Sequence, residues 1–67
     1  MTHDVEMMLE ECLTLCTDAQ QALKQVIGFA KGLHDTHPDL ENNADFTEYR
    51  LQFLISDIKD AIRKWEQ

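Results

Sequence analysis

A stripe of apolar residues runs at helical spacing from Val5 to Leu33, and it constrains this chain more than any other feature. Its members recur every three or four residues, which predicts one amphipathic helix of about eight turns with a dry face and a wet face. The stripe consists of Val5, Met8, Leu9, Cys12, Leu15, Cys16, Ala19, Ala22, Leu23, Val26, Phe29, Ala30 and Leu33. It shows that the helix must pack against something, but it carries no chemistry that names a substrate.

A second stripe with the same spacing occupies the other half of the chain. It consists of Leu40, Ala44, Thr47, Leu51, Leu54, Ile55, Ile58, Ala61, Ile62 and Trp65. The sequence therefore predicts an all-α protein with two amphipathic helices of nearly equal length.

The boundaries of these helices follow from residues that favour helix ends. We expect helix one over about 4–33, a turn over 34–37 and helix two over about 38–66. Pro38 suits the first position of a helix, because its φ angle is fixed and its missing N–H is not needed there. Asparagine favours caps and turns, so a start of helix two near Asn43 remains an alternative.

A chain of 67 residues holds a single domain, here residues 1–67, and a core of this size gives little stability by itself. We expect an antiparallel two-helix hairpin, with the acidic start of helix one beside Lys59, Arg63 and Lys64. Two helices do not cover both stripes completely. A second copy or a partner is expected to complete a four-helix bundle.

The bundle core is expected to come from the larger members of the two stripes. These are Val5, Leu9, Leu15, Leu23, Val26 and Phe29 of helix one, with Leu51, Leu54, Ile58, Ile62 and Trp65 of helix two. Met7, Leu13 and Ile27 fall outside the main stripe, where they would widen a second contact surface.

Three aromatic residues, Phe46, Tyr49 and Phe53, lie on the side of helix two that faces away from the predicted hairpin core. Three exposed aromatic side chains at spacings of three and four form a coherent patch, of the kind that marks a contact surface. We expect them to bind a partner or to form the dimer interface.

Charge and hydropathy bear on the class of partner. The net charge of −7 repels phosphate backbones and anionic lipids, so direct binding to nucleic acid or membrane is not expected. No window reaches the roughly 18 apolar residues that cross a bilayer, and the N-terminus lacks the pattern of a signal peptide. These features predict a cytoplasmic protein.

The chain offers little for catalysis or for metal binding. Cys12 and Cys16 fall within the apolar stripe and are expected to be free, buried thiols. His3 belongs to one end of the hairpin, and His34 and His37 belong to the other, so one chain does not bring them together around a metal. No nucleophile is paired with a base, and we expect no enzymatic activity, cofactor, metal or small-molecule substrate.

In length, in its two helices and in the aromatic-then-aliphatic sequence from Tyr49 to Trp65, the chain resembles the small hairpin co-chaperones of type III secretion needle subunits. That resemblance implies a role in shielding an aggregation-prone partner. The chain is also similar in shape to small accessory proteins of phages and plasmids, often acidic dimeric hairpins that regulate other factors by contact.

These observations predict a small acidic protein–protein interaction module. We expect a dimeric regulator or adaptor, of the phage or plasmid accessory type, whose partner is a second copy or another helical protein. The alternative is a co-chaperone of the needle-subunit kind.

Overall fold

A computed structural model of the chain describes the backbone of residues 2–66 and the side chains of residues 4–65. The described residues form two helices, α1 (Thr2–Gly32) and α2 (Pro38–Glu66), which pack side by side as a hairpin about 51 Å long, 15 Å wide and 12 Å thick. Of the two starts that the sequence leaves open for α2, the structure has the earlier one. Neither helix, over the residues described, has an apolar stretch long enough to cross a bilayer.

The connection between the helices is short, and several hydrogen bonds hold it. The carbonyl oxygen of Leu33 accepts bonds from the backbone N–H groups of Thr36 (3.1 Å) and His37 (2.7 Å) and from the Thr36 hydroxyl (3.3 Å). The N–H of Leu40 then donates to the carbonyl of His37 at 3.2 Å, which begins α2. None of the described residues has a positive φ, so Gly32 ends α1 without the left-handed conformation common at helix C-termini.

The two helices meet along a seam with strict heptad spacing, in which successive members are alternately three and four residues apart. On α1 the seam consists of Glu6, Leu9, Leu13, Cys16, Gln20, Leu23, Ile27 and Ala30, and on α2 of Glu41, Ala44, Glu48, Leu51, Ile55, Ile58 and Ile62. Ile27, Ala30, Ala44, Ile55 and Ile58 are the most buried of these. The alanines lie nearest the turn, where small side chains allow the helices to approach closely.

The side-chain pairs between basic or imidazole nitrogens and carboxylates, among the described side chains, lie close to the ends of the hairpin. His34 Nδ1 lies 3.1 Å from a carboxylate oxygen of Glu41, which joins the turn to the first turns of α2. Arg63 pairs with Asp60 on its own helix rather than with the acidic residues of α1. The expected attraction between the acidic start of α1 and the basic end of α2 thus forms no direct ion pair in this part of the structure.

Several residues lie elsewhere than the sequence suggested. Ile27 is buried and Leu13 is half-buried in the seam, although both fall outside the predicted main stripe, whereas Met7 is exposed. Cys12, expected to be buried, is exposed, and Cys16 is half-buried. The reason is that α2 packs along one edge of the predicted stripe on α1, where Leu13 and Ile27 lie just beyond it, and leaves the rest of the stripe, including Cys12, uncovered.

The predicted bundle-core residues divide into two groups. Leu9, Leu23, Leu51, Ile58 and Ile62 lie in the seam, and Val5 is half-buried beside it. The others, namely Leu15, Val26, Phe29, Leu54 and Trp65, are between 43% and 76% exposed in the single chain. Whether these residues fill the core of a completed bundle depends on a second chain, and their place in it stays a prediction.

The adjacent residues Val26 and Ile27 give a direct test of the seam. Replacing Ile27 with valine removes a buried methylene group, which we expect to lower the free energy of unfolding by about 0.5–1.5 kcal/mol. The effect should be the same at every protein concentration, because Ile27 contacts the chain's own second helix. Urea unfolding followed by circular dichroism measures it.

Val26→Ala is the matched control. Val26 is half-exposed, so at low concentration its loss should cost clearly less than a buried methylene, since alanine also favours the helix more than valine does. If Val26→Ala lowered the free energy of unfolding more than Ile27→Val at low concentration, the row of Val26 would be the one that packs against α2. That result would contradict the structure.

Candidate functional site

A second apolar row, the outer row, runs along α1 beside the seam and is left uncovered. It repeats the strict heptad spacing of the seam from Met8 in α1 to Leu33, the first residue after the helix. Its members are Met8, Cys12, Leu15, Ala19, Ala22, Val26, Phe29 and Leu33, and every one of them is exposed in the single chain. Phe29 is the extreme case, with 76% of its surface accessible.

The direction of the outer row follows from helix geometry. Successive residues of a helix are about 100° apart around its axis. From this spacing, the middle of the outer row lies roughly 100° around α1 from the middle of the seam. α2 therefore does not reach it. The broad stripe recognised in the sequence contains this row together with part of the seam. Strict heptad spacing is the signal that separates the two rows.

α2 extends the same surface with one further row, which flanks the seam on the side of Val26. This row consists of Leu40, Thr47, Leu54 and Ala61. Leu40 and Leu54 are about half exposed, and the Thr47 hydroxyl donates to the carbonyl of Asn43 at 2.8 Å. Since that hydroxyl is already bonded, burying Thr47 leaves no donor unsatisfied. The outer row and these four residues together form the apolar face of the hairpin.

The opposite side of the seam has a different character. Its flanking positions hold Glu10, Thr17, Lys24 and Lys31 on α1, and Asp45, Gln52 and Lys59 on α2. All of these side chains are exposed. The hairpin is thus a flat body with one apolar face and one polar face, a form that favours association through the apolar face.

The three aromatic residues singled out from the sequence form a separate surface, the aromatic patch. Phe46, Tyr49 and Phe53 are each more than half exposed on the side of α2 that points away from α1. The rings of Tyr49 and Phe53 pack edge to face with centroids 4.8 Å apart. Burying one face of the hairpin in a bundle would leave this patch accessible.

Shallow open grooves run along both sides of Phe53. One is lined by Tyr49, Gln52, Phe53 and Ser56, and the other by Arg50, Phe53, Leu54 and Asp57. Phe53 therefore forms a ridge with apolar and polar groups on each side, which suits contact with the side chains of another protein. Its role as a partner-binding residue, like those of Phe46 and Tyr49, stays a prediction.

The histidines and cysteines do not converge among the described side chains. His34 is bonded to Glu41, and His37 Nδ1 lies 2.9 Å from the hydroxyl of Thr36. No group of three or more potential metal ligands is found in the described part of the chain. The side chain of His3 lies outside the described residues.

Comparisons of this chain with protein-family models, with curated proteins and with solved structures find no match. The two resemblances noted from the sequence therefore rest on the number, length and composition of the helices.

Two substitutions on α2 distinguish the aromatic patch from the seam. Phe53→Asp should leave the helical circular dichroism unchanged and alter the free energy of unfolding by no more than about 1 kcal/mol, because Phe53 is 55% exposed and its ring packs on that of Tyr49 on the same helix. Leu51→Asp places a charge in the seam and should unfold the hairpin. Equal loss of helix in both variants would mean that the aromatic patch belongs to the core.

Proposed function

We propose that the protein is a non-enzymatic protein–protein interaction module that acts as a dimeric helical hairpin. The apolar faces of two copies pack together to complete a four-helix bundle, and the dimer serves as a regulator or adaptor. The observation that carries this proposal is the outer row, an exposed and wholly apolar heptad row on a helix that already uses another row to bind α2.

The composition of the seam supports association as a source of stability. Glu6, Gln20, Glu41 and Glu48 all occupy seam positions, so the hairpin buries fewer apolar groups than its length suggests. Isolated two-helix units of this size have little core to stabilise them. Binding that buries the apolar face would stabilise the folded chain by mass action.

The dimensions of the hairpin are compatible with a stable interface. A body 51 Å long and 15 Å wide offers a contact of the same order as the roughly 800 Å² that each partner contributes to a standard protein interface. A second copy is a suitable partner, because a twofold axis allows the same surface to serve on both sides.

We assign to the aromatic patch the binding of the protein on which the dimer acts as a regulator or adaptor. Phe46, Tyr49 and Phe53 lie on the back of α2, so the dimer would display two copies of the patch. Exposed aromatic side chains are the residue types that contribute most to binding energy at protein interfaces.

A variant pair tests dimerisation directly. The native protein should pass from monomer to dimer as its concentration rises over a hundredfold range, with its helical circular dichroism unchanged. Phe29→Glu should raise the dimer dissociation constant by about a hundredfold or more, because it places an unpaired charge in the apolar face. Phe53→Asp is the matched control and should remain dimeric.

The other outcomes separate the alternatives. A weakly helical monomer, or large aggregates, would contradict the dimer and favour the co-chaperone alternative, in which the apolar face covers an aggregation-prone partner. Loss of the dimer in Phe53→Asp but not in Phe29→Glu would show that the aromatic patch is the dimer interface.

A further inference from the structure

We infer that, within the dimer proposed above, α1 packs against α1 of the second copy in antiparallel orientation, with the two turns at opposite ends of the bundle. Stacking two hairpins face to face with their helices aligned leaves two arrangements with a twofold axis. In one, α1 lies on α1 and α2 on α2, with the turns at opposite ends. In the other, α1 lies on α2 of the second copy and the turns share one end.

The rows of the apolar face favour the first arrangement. α1 presents the complete outer row, two residues wide, but α2 has polar side chains immediately beyond its single apolar row. Those polar residues are Asn43, Arg50, Asp57 and Lys64. With α1 lying on α2 of the second copy, Leu15 and Phe29 would face this polar line. With α1 lying on α1, they face apolar residues.

The sizes of the side chains in the outer row also fit an antiparallel contact. The row has small residues, Ala19 and Ala22, at its centre, and larger residues toward both ends. A twofold axis between Ala19 and Ala22 pairs these two across the interface. The same register pairs Cys12 with Phe29.

This register leaves no member of the row without an apolar partner. Leu15 is paired with Val26, and Met8 is paired with Leu33. The alanines at the centre permit close approach of the two helix backbones, and Cys12 gives room for the large ring of Phe29.

The charges along α1 are compatible with this arrangement. Its first half carries Asp4, Glu6, Glu10, Glu11 and Asp18 with no lysine or arginine. The segment 19–33 carries Lys24 and Lys31 with no acidic residue. Lys24 and Lys31 lie on the polar face, away from the contact, and an antiparallel pair of α1 helices keeps the two acidic first halves at opposite ends of the interface.

Distances between spin labels in the dimer decide between the two arrangements. The label is attached to a single cysteine, Asp35→Cys, in the turn of a chain that also carries Cys12→Ala and Cys16→Ala. The antiparallel arrangement predicts about 45 Å between the two labels, because Asp35 lies about 14 residues from the proposed axis at a rise of about 1.5 Å per residue. A second label at Asp18→Cys, close to the axis, should give a distance of about 20 Å or less.

Turn labels within about 20 Å of each other would overturn the inference while leaving the dimer intact, since packed helices lie only about 8–10 Å apart. The absence of any dipolar coupling, together with monomeric sedimentation of the labelled protein, would overturn both the inference and the proposed dimer. The long turn distance combined with the short Asp18 distance supports both.

Discussion

One geometric constraint governs this protein: a single neighbouring helix covers one heptad row, and α1 carries two. The seam with α2 uses the row that contains Leu13 and Ile27. Four other members of this row also belong to the broad stripe, namely Leu9, Cys16, Leu23 and Ala30. The outer row is left accessible to solvent. The proposed dimer depends on this division of α1 into a covered row and an uncovered one.

The two rows differ in ways that suit different tasks. The seam includes polar side chains such as Gln20 and Glu48, which weaken burial but help to fix the register of two helices. The outer row is wholly apolar and lacks any such register mark, so in the proposed dimer its pairing depends on side-chain size. We regard the seam as the surface that holds the two helices of one chain together. The apolar face is the surface that would join two chains in the proposed dimer.

Much of the fold could be predicted from the sequence, because long amphipathic helices give a strong periodic signal. Pro38 marked the start of α2, and the position of the aromatic patch followed from its distance around the helix from Leu51 and Ile58. The assignment of Val26 and Ile27 could not be predicted. Both lie within or beside one broad apolar surface, and only the side on which α2 packs decides which of them is buried. The exposure of Cys12 was missed for the same reason.

The native cysteines allow the central claim, that the outer row is covered in solution, to be tested without any substitution. Cys12 lies in the outer row and Cys16 in the seam, so Cys16 serves as an internal reference for folding. The measurement is the rate of alkylation of each thiol, resolved by mass spectrometry, over a hundredfold range of protein concentration. The account predicts that Cys12 becomes protected as concentration rises, while the rate at Cys16 changes little. Alkylation of Cys12 at a constant, fast rate across the whole range would contradict it.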